Sequence, residues 1–440
     1  MSEIDTTIED LYKKIPELKK VDLSLCVNCK SVKLACGLMR CPLLKLYDTP
    51  KLDIAALQQV DTSNSLFGPS SQVFIGESGY PRVSAGPLTS LNPDSELSAL
   101  AGNPSQWTEL PLDQIMTLRF GLFRGMQKAH ILSPNFVDNK SSGKLLDGIK
   151  EISLAIKPVE TETTFTGRVS TQIKLDSILA PIGPSGAMRK LDITGHSRIP
   201  QSVERVIDDE LKANQQISTI SDQGYDVYYL QNVFSSGLTG LDKSKKIVPT
   251  RWSITAVDDI VGNNLISGLR DFKIIEEIRV YHGGFYGNYF TIILLPEVWG
   301  FENYENWLKG SIYSLATKGY MISQDHEDLK YSSQYRAKSK YSNQAGGYYA
   351  ARVSLLNHLH KIRRQAKVIS IREITPEYIV PSGVWVVRES ARVALESTPR
   401  TFPSIEEMEK YIQTLLLTPL EEYKKRSVLM VQRSLEEFFP

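Results

Sequence analysis

The chain has 440 residues, of which 41% are hydrophobic and 23% charged, so it has the composition of a globular protein with enough length for two or three domains. Its net charge of +1 excludes nucleic-acid binding through bulk charge and leaves only local basic patches for that purpose. No apolar run reaches the length of a membrane helix, and the strongest, at 291–299, is typical of a buried strand. The acidic, amphipathic start differs from a secretory signal, so we expect an intracellular protein.

Hydrophobic periodicity predicts helices and strands in mixed order along the first half of the chain. The expected elements are a helix over 1–20, a cysteine module over 21–47, a polar linker over 48–70, a strand broken by Gly and Pro over 70–88, a helix over 113–126 and strands within 150–180.

The second half continues without a regular alternation of strand and helix. The expected elements are an amphipathic helix over 203–224, a strand over 226–234, a hairpin over 276–295, a helix over 347–367, strands over 368–374 and 383–389, and a helix over 404–417. The sequence therefore predicts the α+β class, with a small metal module before it and a flexible peptide tail after it. The expected domains are 1–50 for the module, 70–300 and 301–420 for two α+β domains, and 421–440 for the tail.

All four cysteines lie in one short segment, Cys26, Cys29, Cys36 and Cys41, with the spacing C-x2-C-x6-C-x4-C. Four thiolates complete a tetrahedral metal site, leave no open coordination position and are typical of a structural metal. Zn²⁺ is the favoured metal and a [4Fe–4S] cluster the alternative, since Pro42 follows the last cysteine as in some iron–sulfur sequences. Four free buried thiols are the simpler interpretation. Such clustering favours a reducing compartment over a disulfide framework.

The densest polar and aromatic stretch is IVPTRWSITAVDDIVGNN at 247–264. Its hydroxyl and guanidinium groups could hold phosphate, its tryptophan could stack on a base, and its paired carboxylates could hold Mg²⁺ with a nucleotide. The candidate residues are Thr250, Arg251, Trp252, Ser253, Asp258 and Asp259. The structural alternative is that Ser253 or Thr255 caps a helix and that the two aspartates open it, close to its positive end.

Two weaker signals could also concern phosphate. The Gly/Pro/Ser loops at 84–88 and 181–186 could present backbone N–H groups, although neither has a Walker A pattern and both suit plain turns. A basic cluster is expected where the helix over 347–367 ends, either as a phosphate patch or as a complement to the helix dipole. Its members are His358, His360, Lys361, Arg363, Arg364 and Lys367, joined by Arg336, Lys338 and Lys340.

The last residues, QRSLEEFFP, place Leu435, Phe438 and Phe439 on one face of a single helical turn. One turn cannot bury two phenylalanines, so the protein covers them or they are offered to a partner. The string resembles the PIP box, the peptide that binds the sliding clamp PCNA. That resemblance assigns Gln432 to a polar pocket of the clamp, and the leucine and both phenylalanines to a hydrophobic one.

The chain as a whole resembles the archaeal Nre family of DNA repair proteins. The segments that carry the resemblance are CVNCK (26–30), ACG (35–37), CP (41–42), GPL (86–88), GPSG (183–186), VPTRWSITAVDD (248–259), GN (287–288), RQA (364–366), REI (372–374), PSGVWVVRE (381–389) and QRSLEEFF (432–439). The resemblance implies a cytoplasmic, nucleoid-associated protein of the DNA-damage response, with a zinc-finger-like cysteine motif and a clamp-binding tail. It names no activity.

Three functions fit these observations. The leading hypothesis is a repair factor that PCNA recruits through the PIP box. The alternative is a nucleotide-binding protein or a metal-dependent phosphoester hydrolase that uses 248–259, with DNA or a nucleotide as its partner. The third is a scaffold without catalysis, since the sequence identifies no catalytic residue.

Overall fold

Residues Tyr47–Val261 form one unit, and Met1–Leu46 together with Gly262–Pro440 form the other. The computed structural model describes residues 12–13, 15–29, 35–38, 41–42, 53–132, 140–311, 314, 320–328, 341–378 and 381–430. Helices and strands mix in both units, which confirms the α+β class. In these described ranges, no helix combines the length and the apolar character needed to cross a membrane.

The N-terminal segment contains two short helical pieces. A 3-10 turn covers Pro16–Lys20, and α1 covers Ser24–Cys29. Of the helix expected over 1–20, residues 1–11 lie outside the described residues. The pair Cys26 and Cys29 therefore lies on one face of a helical turn, although a tight turn was expected.

The middle unit begins with helix α2, Ile54–Ser63, which Asp53 caps by accepting a hydrogen bond from Ala56 N–H at 2.9 Å. The linker expected over 48–70 is wrong for its described part. Leu57 and Val60, three residues apart, are buried on the barrel described next, while polar residues surround them in the sequence. Two apolar positions among polar neighbours gave too weak a periodic signal.

Five strands of the middle unit close into a barrel, with the order β1-β2-β3-β5-β4 and β1 paired again with β4. Neighbouring strands are antiparallel, except that β3 and β5 are parallel. The strands are β1 Ser65–Ile75, β2 Arg82–Ser90, β3 Leu122–His130, β4 Val159–Ser170 and β5 Ser185–Ile193. The intervening helices are α3 Ser95–Gly102 and α4 Leu112–Phe120 before β3, and α5 Lys140–Leu154 before β4.

The broken strand expected over 70–88 is thus a hairpin of β1 and β2, and the helix expected over 113–126 ends at Phe120 and is followed by β3. Alternate side chains such as Val83, Ala85 and Phe123 fill the barrel, and α5 adds Ile149 to the same core. A register shift between Ser70 and Gln72 divides β1, so that its first half pairs with β4 and its second half with β2.

Four helices complete this unit: α6 Gln201–Asp208, α7 Ala213–Asp222, α8 Val227–Ser235 and α9 Thr250–Leu269, which continues past the unit boundary. The helix expected over 203–224 is two helices, and the Gln216 amide donates to the carbonyls of Val206, Ile207 and Asp209 at the break. The strand expected over 226–234 is α8. Its buried Val227, Leu230 and Val233 follow the helical spacing.

The other unit is built on a six-stranded sheet with the order β10-β9-β12-β8-β7-β13, beside a small pair of β6 and β11. The strands are β6 Lys273–Ile274, β7 Ile278–Phe285, β8 Asn288–Leu295, β9 Gly300–Trp307, β10 Met321–Asp328, β11 Arg364–Gln365, β12 Lys367–Ile374 and β13 Arg400–Phe402. The helices are α10 Gly346–Ile362, α11 Trp385–Glu396, α12 Ile405–Leu415 and α13 Leu420–Lys424.

Helices cover both faces of this sheet. Gly283 of β7 lies against Ala394 of α11, while Val280 of the same strand shares a core with Met408 and Ile412 of α12. The expected hairpin is confirmed, with Tyr286 and Gly287 at positive φ in its turn. The strand over 368–374 and the last helix are also confirmed, but the strand expected over 383–389 is the start of α11.

Candidate functional site

Helix α9 begins in the segment that the sequence analysis favoured. The Pro249 carbonyl accepts hydrogen bonds from the N–H groups of Trp252 and Ser253 at 2.9 and 3.0 Å. The Ser253 hydroxyl is buried and donates back to the same carbonyl at 3.2 Å, so it does not cap the helix. Thr250 Oγ1 accepts from the N–H of Ile75 at 2.9 Å and fixes the helix start to the end of β1.

Arg251 joins two loops of the barrel. Its Nε lies 3.1 Å from Glu77 Oε1 in the β1–β2 loop, and its terminal amino group pairs with Asp176 in the β4–β5 loop. Asp176 is nearly buried and also accepts from the N–H groups of Ile178 and Leu179. Two carboxylates therefore compensate the guanidinium charge, and the arginine's place in the structure is to hold both loops against the helix start.

Trp252 lies on the outside of this junction. Its side chain is 45% exposed, and its ring centroid lies 5.2 Å from that of Tyr80, which is also 45% exposed. Tyr80 belongs to the same β1–β2 loop that Arg251 holds. The two rings form an exposed aromatic pair beside the barrel, which is the kind of surface on which a base can stack.

Asp258 and Asp259 lie inside α9 and do not open it, which corrects the expectation for both. Pro249 and Thr250 set the helix start about two turns earlier, and Thr250 and Asp258 are separated by about 12 Å along the helix axis. Asp258 is fully buried and Asp259 half-buried. The six candidate residues therefore do not converge on one point: Thr250, Arg251 and Trp252 share the helix start, whereas the aspartates lie deeper along the helix.

The four cysteines are thiols in this structure, and three of them, Cys26, Cys29 and Cys41, are buried. Burial, the largest cause, and the charges of Cys41, Cys29 and Cys36 together raise the pKa of the Cys26 thiol to about 11. Cys29, Cys36 and Cys41 thus lie near Cys26. No three described His, Cys, Asp or Glu side chains form a group arranged to hold a metal ion. The donor type suits a soft metal, since a bound metal would favour the thiolates that burial disfavours.

Of the basic cluster expected around 358–367, Lys361 and Arg363 are exposed at the end of α10, whereas His358, His360 and Lys367 have partners within the fold. His358 Nε2 lies 3.1 Å from the Tyr281 hydroxyl, and burial, with Lys361 and Arg279 nearby, lowers the His358 pKa to about 4. His360 Nε2 contacts the Leu265 carbonyl at 2.6 Å. Lys367 is buried and pairs with Glu297. Arg336, Lys338 and Lys340 lie outside the described residues.

The two Gly/Pro loops are likewise structural. Residues 84–88 lie within β2, and Ser185 and Gly186 begin β5. A Cβ on Gly183 would lie 2.6 Å from the Leu122 carbonyl oxygen, so glycine allows the close approach of two backbones there. Residues 84–88 pair with both neighbouring strands of the barrel, and the Ile182 N–H donates to the Lys174 carbonyl at 2.9 Å.

Gln432, Leu435, Phe438 and Phe439 lie outside the described residues, but the segment that leads to them is well held. Glu302 of β9 accepts from the N–H groups of Val428 and Leu429 and from the Ser427 hydroxyl, at 2.7, 3.3 and 2.6 Å. Glu373 of β12 holds residues 417–423 in the same way.

Neither carboxylate was predicted from the sequence to have a role. Glu302 and Glu373 are each 4% exposed or less. A carboxylate inside an otherwise apolar strand was the available signal, because a buried charge requires hydrogen-bond partners.

A five-stranded closed barrel in one unit and a helix-covered mixed sheet in the other define a two-unit α+β protein, with a cysteine cluster before these elements and an apolar peptide after them. The chain belongs to the archaeal Nre family: its N-terminal family model matches residues 35–314, and its C-terminal model matches 333–438. This confirms the family that the sequence motifs indicated.

Three relatives carry names that describe their role. The chain is 36% identical to the DNA repair protein NreA of Archaeoglobus fulgidus over 94% of its own length and 98% of the relative's. It is 28% identical to the DNA repair protein NreB of the same organism, over 94% and 99%. It is 29% identical to the DNA repair protein NreA of Haloferax volcanii, over 83% and 86%. No solved structure matches the chain.

Proposed function

We propose that the chain is a DNA repair protein that the sliding clamp PCNA recruits through its terminal peptide. The observation that carries the repair role is the 36% identity, over nearly the full length of both chains, to a protein named for DNA repair. The proposed binding to PCNA rests on the peptide pattern Gln432-x-x-Leu435-x-x-Phe438-Phe439. Its polar residue fits a polar pocket, and its aliphatic residue and two aromatics fit an adjacent hydrophobic pocket.

The structure supports this role at the base of the peptide. Glu302 holds the chain as far as Leu429, and the Met430 N–H donates to the Ser427 hydroxyl at 2.8 Å. Residues 431–440 follow directly. A peptide that is joined to an anchored segment brings the whole protein to the clamp, and the effective concentration of the protein at DNA then rises without strong DNA affinity of its own. The net charge of +1 agrees with that division of labour.

Calorimetric titration against the cognate clamp tests the proposal. Replacing Phe438 and Phe439 by Ala removes two aromatic anchors, each worth about 2 kcal/mol at an interface, so we expect affinity to fall by a factor on the order of 1,000. Glu436→Gln, at a variable position of the same peptide, is the matched control and should bind like the unmodified chain. Unchanged clamp binding by the double variant, or by a chain that ends at Val431, would refute the recruitment.

For the cysteines, we propose a metal, with Zn²⁺ favoured over a [4Fe–4S] cluster. The support is that the chain's only four cysteines lie close together in the sequence, that three of them act on the charge of Cys26, and that they supply four soft ligands. A metal bound by Cys26, Cys29, Cys36 and Cys41 would cross-link this short segment and stabilise it.

Elemental analysis of anaerobically purified protein is expected to give about one zinc per chain. A visible absorption band with iron and sulfide would identify the cluster. Loss of metal in Cys29→Ser is expected, and a metal-free purified chain would contradict the proposal.

The alternative function, nucleotide binding or Mg²⁺-dependent phosphoester hydrolysis at 248–259, has one favourable observation, the exposed ring of Trp252. Arg251 is already paired and Asp258 is buried. Thermal-shift titrations with ATP, ADP and AMP, with and without Mg²⁺, separate the two functions, because a hydrolase of this kind should be stabilised by one of the nucleotides.

A further inference from the structure

The barrel of the middle unit has the connectivity of a known ligand-binding fold. A divided β1 pairs with both β2 and β4, β3 and β5 are parallel, and α5 lies between β3 and β4 in the chain and packs into the barrel core. These are features of the five-stranded Greek-key barrel known as the OB-fold, which binds oligonucleotides or oligosaccharides on the face of its second and third strands and on the β1–β2 and β4–β5 loops. Topology alone does not assign a function, so the face itself must carry the argument.

The outer face of β2 and β3 presents cations. Val83, Ala85 and Ala129 point into the core, so the residues that alternate with them point outward. The register places Arg82 opposite His130 and Ser84 opposite Lys128. Arg82 and Lys128 are exposed, and neither forms an ion pair with any residue that the structure describes.

The aromatic pair borders this basic strip. Tyr80 lies two residues before Arg82 in the chain, in the loop that also contains Gly79. Lys128 Nζ would lie 3.6 Å from a Cβ on Gly79, so the lysine reaches the same loop. Arg251 holds this loop through Glu77 and the β4–β5 loop through Asp176. The two loops that bind ligands in OB-folds are therefore fixed together, with Trp252 and Tyr80 exposed beside them.

We propose that this face binds single-stranded DNA, with bases stacked on Tyr80 and Trp252 and phosphates contacted by Arg82 and Lys128. A base can stack on an exposed aromatic ring only when it is unstacked from its neighbours, and bases in a duplex are not. The exposed cations favour a ligand with phosphate groups over an uncharged oligosaccharide. The choice of DNA over RNA rests on the proposed repair role. The surface itself is independent of the clamp peptide, the cysteines and nucleotide hydrolysis.

Fluorescence anisotropy of the full chain with a labelled thymidine oligonucleotide of about 15 residues tests the proposal. Trp252→Ala should weaken binding by about tenfold to 100-fold, while Trp252→Phe should retain most of it. Arg82→Ala with Lys128→Ala should reduce the slope of log affinity against log salt by about 1.4, the value for two lost phosphate contacts on a single strand.

Two controls match these variants. Tyr341→Ala removes an aromatic residue that is 60% exposed in the other unit, and Lys190→Ala removes a cation that already pairs with Asp192. Both should bind DNA like the unmodified chain. Thermal unfolding of each variant identifies a loss of fold, and Trp252→Phe keeps the test decisive if Trp252→Ala unfolds.

Three results would overturn the proposal: equal binding by Trp252→Ala and the unmodified chain, an equal loss in the controls, or competition by duplex DNA as effective as that by single strands. Tighter binding of an RNA of the same base sequence would overturn the choice of DNA. A chain ending at Val431 separates this inference from recruitment, because it should lose clamp binding and keep single-strand binding.

Discussion

Replacing Glu373 tests how the segment before the terminal peptide is held. Glu373 lies on β12 and is 4% exposed. Its carboxylate accepts from the N–H groups of Leu417 and Thr418 at 2.8 and 2.9 Å, and from the Tyr423 hydroxyl at 2.7 Å. Glu373→Ala leaves three donors without this acceptor, whereas Glu373→Gln keeps one good acceptor and turns an amide N–H₂ toward one N–H donor.

The magnitude follows from the number of donors. An unsatisfied buried donor costs about 1–3 kcal/mol, and removing a costly buried charge returns part of that sum. We therefore expect Glu373→Ala to destabilise the segment by about 3 kcal/mol and Glu373→Gln by about 1 kcal/mol. Hydrogen exchange measured by mass spectrometry on peptides covering 416–430 reports this local opening, and about 3 kcal/mol corresponds to exchange about 100-fold faster.

The contribution of Glu373 to stability depends on pH in a definite direction. Burial, the largest effect, raises the pKa of Glu373 above its ordinary 4.5, and the accepted hydrogen bonds lower it in part. The folded protein therefore keeps this proton at a pH where the unfolded chain has lost it. The stabilising contribution is complete below about pH 4.5 and declines as the pH rises through the folded value.

Glu373→Gln should abolish this decline, and Glu276→Gln, at an exposed position of the same unit, should leave both exchange and its pH dependence unchanged. Hydrogen exchange at the original rate over 416–430 in Glu373→Ala, or lower stability of Glu373→Gln than of Glu373→Ala, would contradict this role of Glu373.

Two further substitutions test the backbone and a buried imidazole. Gly79 has φ +85°, and a Cβ there would lie 2.7 Å from the Arg82 carbonyl oxygen, so Gly79→Ala should lower the free energy of unfolding in urea by about 1–3 kcal/mol. Gly167→Ala is the control, because φ is +75° but no atom lies within 4 Å of the added Cβ, and it should cost about 1 kcal/mol. Burial is the main cause that lowers the His358 pKa from 6.5 to about 4 in the folded protein. As the pH falls, the unfolded chain therefore takes up a proton at this imidazole before the folded protein does. The stability that neutral His358 contributes is lost as the pH falls from 6.5 through 4. His358→Gln should reduce the dependence of the unfolding temperature on pH across that range. An unchanged dependence would show that other groups cause it.

The sequence predicted elements best where one local signal was strong. The glycine-rich stretch 282–288 marked the hairpin turn, which the structure places at Tyr286 and Gly287, and the run over 368–374 marked a strand. It failed at Val227–Ser235 and Trp385–Glu396, where valine, tyrosine and tryptophan favour strands. In both helices burial on packed faces outweighs that preference, and packing of this kind depends on residues far away in the chain.

The candidate site shows the same division between local and distant information. The density of Arg251, Trp252 and their hydroxyl neighbours singled out the segment in which α9 begins, although not the residue at which it begins. The partners Glu77 and Asp176 lie in two barrel loops, and no spacing in the sequence connects them to Arg251. In the sequence, where those partners cannot be seen, Arg251 looks available to bind phosphate. In the structure, Arg251 pairs with both carboxylates and positions the two loops. Asp258 and Asp259 were assigned to a first turn because the helix start at Pro249 and Thr250 was placed too late.

The proposed clamp peptide would compensate for the modest affinity of the proposed single-strand surface. Two exposed cations and one aromatic pair give a site of modest affinity, because each phosphate contact weakens with salt and only a few bases find a ring. A clamp-bound peptide on the same chain would place that site at an effective concentration on the order of millimolar near DNA. A weak surface is then occupied beside a loaded clamp and empty elsewhere, so the near-neutral charge of the chain favours selectivity for clamp-bearing DNA over affinity for DNA in general.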